Sequence, residues 1–405
     1  MKILMVNKYF HIKGGSETYI FSLKELLEAN GHEIFEFSMH DPQNLASLYA
    51  DYFVSNIDYN QSVGFLKKLQ YAANIIYSRE AYAKISQLID LVKPDVAHLH
   101  LFQHQLSPSI LYALKKKGIP IVYTAHDLKC LCANYKMLVN NRVCEDCKDG
   151  QHYNCWKNRC VKNSRLKSAL NVIEMYVHEY FQSYQLIDVI ITPSMFFRNK
   201  FIEYGFAANK IVYLPNFLDA GKFTPVYEYD NYFIYLGRLS EEKGVFTLLQ
   251  AMHQVEGIQL YIIGTGPLEE PIAQKIKGQG LEARVKLLGY RSGGELDQLK
   301  AQAMFSVMPS EGYENAPYSL LEMMAIGKPV IGSNIGGIPE MIEAGNTGLL
   351  FNTKDADDLA AQINLMKNNP ELVWKYGHNA RDKLLAEYNS PGHYNGLEKI
   401  YKSMQ

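Results

Sequence analysis

Short apolar runs alternate along the chain with longer stretches whose apolar residues recur every three or four positions. Residues 2–6, 33–38, 96–101, 121–124, 189–192 and 211–214 have the length and composition of buried strands. Between them, residues 17–29 and 79–92 carry the 3.6-residue period of helices. A second series begins after Asn216, with strand-like runs at 232–236, 259–263, 285–288, 305–308, 330–332 and 348–351. Strand and helix in alternation predict largely parallel sheets covered by helices on both faces. The periodicity lapses over residues 215–232, which contain Gly221 and Pro225 and read as a linker. The expected organisation is therefore a doubly wound α/β domain over 1–215, a second over 216–385, and a helical tail over 386–405 that packs back on the first. In such sheets ligands bind beyond the carboxyl ends of the strands, where strand order reverses. Two of them facing across a cleft would place functional residues just after strands.

Composition agrees with this division. A chain of 405 residues with 47% apolar and 20% charged residues is long enough for two cores and too apolar for a disordered protein. The net charge of -1 argues against a dedicated nucleic-acid binder. The first residues, Met1-Lys2-Ile3-Leu4-Met5-Val6-Asn7, are too short an apolar run for a signal peptide, and no run reaches the roughly 18 apolar residues of a membrane span. These features predict a cytoplasmic protein, or one attached only peripherally to a membrane.

The motifs do fall after strands. Gly237-Arg238-Leu239-Ser240-Glu241-Glu242-Lys243-Gly244 follows the run at 232–236 and leads into a helix over 245–254. An arginine fork and a lysine point charge beside a helix start suit a pyrophosphate, although a solvated charged turn has the same look. Gly264-Thr265-Gly266 follows the run at 259–263 and lets backbone approach a ligand closely, but it is not a G-x-G-x-x-G fingerprint, which disfavours an NAD-dependent oxidoreductase. Gly14-Gly15-Ser16-Glu17 opens the first long helix; a glycine pair there suits phosphate, and the alternative is a turn capped by Ser16. His126 stands at the end of the strand at 121–124, in Thr124-Ala125-His126-Asp127. After the run at 305–308 comes Pro309-Ser310-Glu311-Gly312-Tyr313-Glu314-Asn315-Ala316-Pro317-Tyr318-Ser319-Leu320-Leu321-Glu322, in which Glu314 and Glu322 are separated by seven residues. Ser319 and Glu322 also have the spacing of a capping box. Asp355-Ala356-Asp357 has the form of a D-x-D metal motif but opens an Ala- and Leu-rich helix, so it reads as acidic residues at a helix start.

The Glu314-x7-Glu322 pair resembles the E-x7-E motif of glycosyltransferase family 4, the retaining enzymes of the GT-B fold. Pro193-Ser194, Leu214-Pro215-Asn216, Leu288-Gly289-Tyr290 and Gly336-Gly337-Ile338-Pro339-Glu340 are similar to further landmarks, in the same order, and the resemblance runs from residue 1 to about 385. It implies a nucleotide diphosphate sugar as donor and a metal-independent transfer of a hexose-type sugar to a saccharide acceptor, of the kind that builds bacterial surface polysaccharides. In that resemblance His126, Arg238, Lys243 and Glu314 are catalytic. Gly14, Gly15, Gly264, Gly266, Tyr290, Asn315, Ala316 and Glu322 hold the donor, with Glu322 on the ribose and Tyr290 near the base. Glu311 lies at the wrong spacing. Asn315-Ala316-Pro317 departs from the glycine and small apolar residues common in the family, and Pro317 lacks an N–H, which bears on the choice of sugar. A nucleotide-sugar 2-epimerase and a non-catalytic scaffold subunit share the fold and remain the competing readings.

All six cysteines lie within 130–160, an insertion directly after His126. Cys144, Cys147, Cys155 and Cys160 could hold a structural zinc, or could be free thiols in a reducing compartment. Lys157, Arg159, Lys162, Arg165 and Lys167 follow without an acidic residue among them. That face could meet an anionic membrane or the diphosphate of a lipid-linked acceptor, or simply be solvated. Phe65-Leu66-Lys67-Lys68-Leu69 and Tyr71 could add an amphipathic contact, or form a core helix.

Overall fold

The computed structural model describes residues 1–57 and 65–404, and the side chains of residues 65–69 lie outside that description. The chain divides into two compact units. One comprises Met1–Met137, Cys144–Leu214 and Tyr394–Gln405, and the other Leu138–Val143 and Pro215–His393.

In the first unit the elements run β1 (Lys2–Val6), α1 (Gly15–Ala29), β2 (Glu33–Phe37), α2 (Phe65–Ile76), α3 (Arg79–Val92), β3 (Val96–Leu99), α4 (Ser109–Lys116) and β4 (Ile121–Thr124). The chain then leaves the sheet before returning to it, passing through the hairpin β5 (Leu138–Val139) and β6 (Arg142–Val143), which belongs to the second unit, and the helices α5 (Tyr153–Lys157) and α6 (Arg165–Tyr180). It closes with β7 (Val189–Thr192), α7 (Met195–Glu203) and β8 (Ile211–Tyr213). The strands form one parallel sheet in the order β2-β1-β3-β4-β7-β8. Ile3 pairs with Ile34 on one side and Val96 on the other, so strand order reverses between β1 and β3. Ile3, Leu4, Met5 and Val6 are all buried, as expected when helices cover both faces of a parallel sheet. The hairpin is absent from the periodicity because its turn is Asn140-Asn141, both left-handed (φ 47° and 55°), which is the backbone of a type I′ turn without its usual glycine. The segment 65–69, read as an amphipathic contact, begins α2, and its side chains lie outside the described residues.

Beneath the insertion lies a buried ionic network. Lys129 Nζ donates to Glu174 Oε2 at 2.8 Å, to Asn171 Oδ1 at 3.2 Å and to Ala133 O at 3.0 Å. His104 Nε2 stands 3.6 Å from the same Glu174 oxygen. Burial by itself would raise the Glu174 carboxyl, but the Lys129 ammonium and His104 hold it down to about 2.

The second unit runs β9 (Tyr232–Leu236), α8 (Val245–Ala251), β10 (Gln259–Ile263), α9 (Glu269–Gly278), β11 (Val285–Gly289), α10 (Gly293–Ala301), β12 (Ser306–Met308) and α11 (Tyr318–Ala325). It continues with β13 (Val330–Ser333), α12 (Ile338–Met341), β14 (Gly348–Phe351), α13 (Ala356–Asn368) and α14 (Pro370–Glu387), and α15 (Ser390–Lys402) follows. The sheet order is β11-β10-β9-β12-β13-β14, all parallel, with the reversal between β9 and β12. Its core packs Phe233, Leu248, Leu260, Ile272, Phe305 and Ile363 among others. Asp355 caps α13, accepting from the N–H groups of Asp357 (3.1 Å) and Asp358 (2.9 Å), so the D-x-D run is a helix start. Residues 215–231 are tied down rather than loose: they form a 3-10 turn at Ala220–Lys222, Leu218 N–H donates to Tyr388 O, Val226 N–H to Ile326 O, and Tyr227 stacks on His378. The helical tail is broken after Glu387, and the unit boundary falls inside α15, between His393 and Tyr394. In the first unit Tyr401 OH lies 2.6 Å from His98 Nδ1.

Replacing Glu174 with Gln leaves the Lys129 ammonium buried without a counter-charge, and should cost about 3–5 kcal/mol in urea denaturation. Lys117→Ala, which breaks the exposed pair with Asp90, should cost less than about 1 kcal/mol in the same assay.

Candidate functional site

In the second unit the loops after β9 and β12 meet at the point where strand order reverses. Glu311 N–H and Gly312 N–H both donate to Glu242 O, at 2.8 and 3.1 Å. This approach needs Gly244, which is left-handed (φ 66°), and whose absent Cβ would lie 1.8 Å from Pro309 O. On that frame Lys243 Nζ reaches Glu314 Oε1 at 2.6 Å, and Ser310 Oγ donates to the same oxygen at 2.7 Å. The loop after β13 pins the Glu314 backbone, with Gly337 N–H donating to Glu314 O at 2.8 Å. Lys243 and Glu314, 71 residues apart, are thus brought together, while Arg238 in the same loop as Lys243 stays exposed.

The other residues singled out in the sequence fall into distinct places. Glu322 lies inside α11 and accepts from Lys300 Nζ at 3.3 Å. The capping box does not form, because Pro317 is the N-cap and Ser319 sits within the helix. Ala316 is buried, and its carbonyl accepts from Asn216 Nδ2 at 2.9 Å, which fixes the backbone next to Asn315. The close approach allowed by Gly264 and Gly266 is to neighbouring backbone: a Cβ on Gly264 would lie 2.0 Å from Gly237 O, and one on Gly266 2.3 Å from Leu239 O. These glycines therefore lock the loops of β9 and β10 together. Tyr290 follows the edge strand β11 and is exposed. Glu311 is buried, takes a hydrogen bond from Thr247 Oγ1 at 2.6 Å and faces Lys354 at 3.8 Å, a packing role in keeping with its wrong spacing.

In the first unit Gly14 is the N-cap of α1, with extended backbone, and Gly14 and Gly15 are both exposed. Ser16 does not cap; its Oγ donates to Glu17 Oε2 at 3.1 Å. Glu17 is almost fully buried at this helix start, and burial raises its carboxyl despite Ser16 and nearby Lys8. His126 is half-buried after β4, and burial lowers it to about 3, so the ring is neutral at physiological pH. Its Nε2 lies 3.1 Å from His100 Nδ1, and Tyr19 stands edge-on to it at 5.2 Å. His98 Nε2 continues the buried polar layer to Thr124 Oγ1 at 2.7 Å. His98 and His100 were not singled out in the sequence. Their spacing of two along a strand, which puts both on one face, was the available signal.

No disulfide joins any of the six cysteines. Cys155 is buried with Ala133, Val172 and Met175, and Cys147 and Cys160 pack against that small core. Burial, with neighbouring cysteines adding to it, pushes the Cys147 thiol up to about 12. Among the described residues no group of three or more His, Cys, Asp or Glu side chains is arranged to hold a metal ion.

Two six-stranded parallel sheets, each with its loops gathered at a reversal of strand order, define the GT-B architecture of glycosyltransferases. The family model for Glycosyltransferase Family 4 matches residues 13–222, and that for Glycosyl transferases group 1 matches residues 220–383. The chain belongs to glycosyltransferase family 4. It is 25% identical over 394 residues to N-acetyl-alpha-D-glucosaminyl L-malate synthase of Bacillus anthracis, covering 96% of this chain and 93% of that one. It is 28% identical over 250 residues to the amylovoran biosynthesis glycosyltransferase AmsK of Erwinia amylovora, covering 58% of this chain and 61% of that protein. With the putative colanic acid biosynthesis glycosyltransferase WcaL of Salmonella typhimurium the identity is 27% over 238 residues, covering 55% of this chain and 58% of the relative. Among solved structures, sucrose-phosphate synthase from Thermosynechococcus elongatus has the same fold at a TM-score of 0.74 and 19% identity, covering 100% of this chain and 99% of that one. Anabaena HepE, solved with UDP and glucose, matches at 0.67 and 19% identity with both chains fully covered.

Gly244→Ala should be destabilising by about 2 kcal/mol or more, since the new Cβ meets backbone and the conformation is left-handed. Urea denaturation would measure it, and Gly278→Ala, with open space around it, is the control.

Proposed function

We propose that this transferase moves a hexose from a nucleotide diphosphate sugar to a lipid-linked saccharide acceptor, with retention of configuration, in the assembly of a surface polysaccharide. The observation that carries the reading is the Lys243–Glu314 pair, at 2.6 Å, where strand order reverses beside β9 and β12. A ligand diphosphate would compete with Glu314 for the Lys243 ammonium and be met by the free fork of Arg238. Charge develops on the departing diphosphate as the glycosidic bond breaks, so these two cations stabilise the transition state more than the bound donor. Glu314, released from Lys243, then accepts hydrogen bonds from sugar hydroxyls, and Glu322 accepts them from the ribose diol.

In the first unit the start of α1 at Gly14-Gly15 offers backbone N–H groups suited to an anionic group. His126, neutral, is suited to hydrogen-bond a sugar hydroxyl rather than to carry a charge. Departure and attack occur on the same face of the sugar, with the acceptor proton passing to the leaving phosphate, so that no carboxylate nucleophile and no metal is needed. The relatives AmsK and WcaL, an amylovoran and a putative colanic acid biosynthesis glycosyltransferase, support a polysaccharide pathway, and the HepE complex with UDP and glucose supports a nucleotide-sugar donor. No described helix is long and apolar enough to cross a membrane, and the reading places the enzyme peripherally on the inner face of the cell membrane.

Arg238→Ala and Lys243→Ala should each lower turnover roughly 100-fold or more while leaving the thermal midpoint near that of the parent; near-normal turnover in both would refute their role. A thermal-shift screen with UDP-, GDP-, dTDP- and ADP-sugars should single out one base by a raised midpoint. NMR of the product should show the donor's anomeric configuration, in a reaction that needs acceptor and survives EDTA. An epimerised sugar formed without acceptor would sink the transfer reading.

A further inference from the structure

Helix α6 is amphipathic in an unusual sense. Its inward face buries Ser168, Asn171, Glu174 and His178 along with Val172 and Met175, while hydrocarbon points outward. Leu166, Ile173 and Tyr180, seven residues apart and so on one line of the helix, are 81%, 53% and 82% exposed. Tyr176 lies beside that line, and its hydroxyl accepts from Tyr153 N–H at the start of α5. Tyr153 and Trp156 of α5, exposed in turn, widen the stripe, and the Arg165 guanidinium lies over the Trp156 ring at 5.6 Å.

Cations border this stripe. Lys157, Arg159, Lys162, Arg165 and Lys167 are all exposed, with no carboxylate in the segment they span. Exposed carboxylates near it include Asp146, which accepts from Asn158 Nδ2 at 2.9 Å, Asp149, and Glu179, 3.1 Å from His152. A second copy of the chain docking on the same face would set cation against cation. A bilayer carrying anionic lipid complements both parts, since its acyl boundary takes the stripe, its interface suits Trp and Tyr, and its phosphates meet the Lys and Arg heads.

We propose that the α5–α6 face docks on an anionic membrane surface, with Leu166, Ile173 and Tyr180 entering the interface and the 157–167 cations contacting lipid phosphates. This deepens the lipid-linked-acceptor reading by naming the surface that brings the enzyme to its acceptor.

The test is sedimentation of the full chain with vesicles of phosphatidylcholine alone or mixed equally with phosphatidylglycerol. Binding is expected only to the anionic vesicles and should fall with salt. In a Trp374→Phe background, which leaves Trp156 as the one tryptophan, emission should shift to the blue on binding. Leu166→Glu with Ile173→Glu should weaken vesicle binding at least tenfold, with unchanged circular dichroism and unchanged transfer to a water-soluble acceptor. Equal binding to neutral and anionic vesicles, an unshifted Trp156, or a double variant that binds like the parent would overturn the proposal. So would light scattering that shows a dimer which the double variant dissolves. Absence of transfer to a soluble acceptor by the parent protein would instead count against the proposed reaction and leave the membrane result standing.

Discussion

A parallel sheet covered by helices on both faces has no room for charge except where its strands end. The inner strands of both sheets obey this constraint, from Ile3-Leu4-Met5-Val6 in the first to Phe233-Ile234-Tyr235 in the second, while the edge strands β2 and β11 admit Glu36 and Lys286. Polar chemistry is driven to the loops at the carboxyl ends, and the reversal of strand order opens a crevice where two such loops diverge. In the second unit these are the loops after β9 and β12. Backbone approach at Gly244 brings them close enough for Lys243 to meet Glu314, and Thr247 ties the same segments through Glu311. The pair is thus a product of sheet topology joined to one left-handed glycine.

The two glutamates of the E-x7-E pair do different physical work. Glu314 belongs to a loop held by backbone hydrogen bonds from Gly337 and shares its carboxylate between Ser310 and Lys243. Glu322 stands on a helix and leans on Lys300, itself buried. A loop carboxylate with a removable partner can re-aim when a ligand arrives. A helix carboxylate with a buried partner keeps its place, which is what the proposed contact to a ribose would require of Glu322.

The first unit solves a different problem, that of keeping polar groups inside. His98 meets Tyr401 and Thr124, His100 and His126 meet each other with rings that burial keeps from protonating, and Lys129 and Glu174 neutralise one another beneath the insertion. Such networks are costly unless every partner is present, which makes them rigid supports. The insertion then rests on this network and on the small Cys155 core, and it turns the hydrocarbon of α6 outward.

Periodicity alone located the strands described in the two six-stranded sheets, because burial on two faces writes a continuous apolar run that needs no partner to be read. It missed the Asn140-Asn141 hairpin, whose short strands carry no period and whose turn lacks glycine. The spacing of Glu314 and Glu322, the Arg238 and Lys243 loop, and the helix start at Asp355 were likewise legible, since each depends on residues close in the chain. What only the tertiary structure decided were the partners across long separations. Ser319 and Glu322 have the spacing of a capping box, yet Pro317 takes the cap and Lys300 takes the carboxylate. Gly264 and Gly266 read as a ligand turn, yet the backbone they admit is that of Gly237 and Leu239. Cys155 reads as one of four evenly available thiols, yet it is drawn into a hydrophobic core with Val172 and Met175. Local sequence fixes which residues sit at strand ends and helix starts, because those positions follow from backbone periodicity. Which of two competing partners a side chain finally meets depends on the distance between elements far apart in the chain, and that distance exists only once the sheets are assembled.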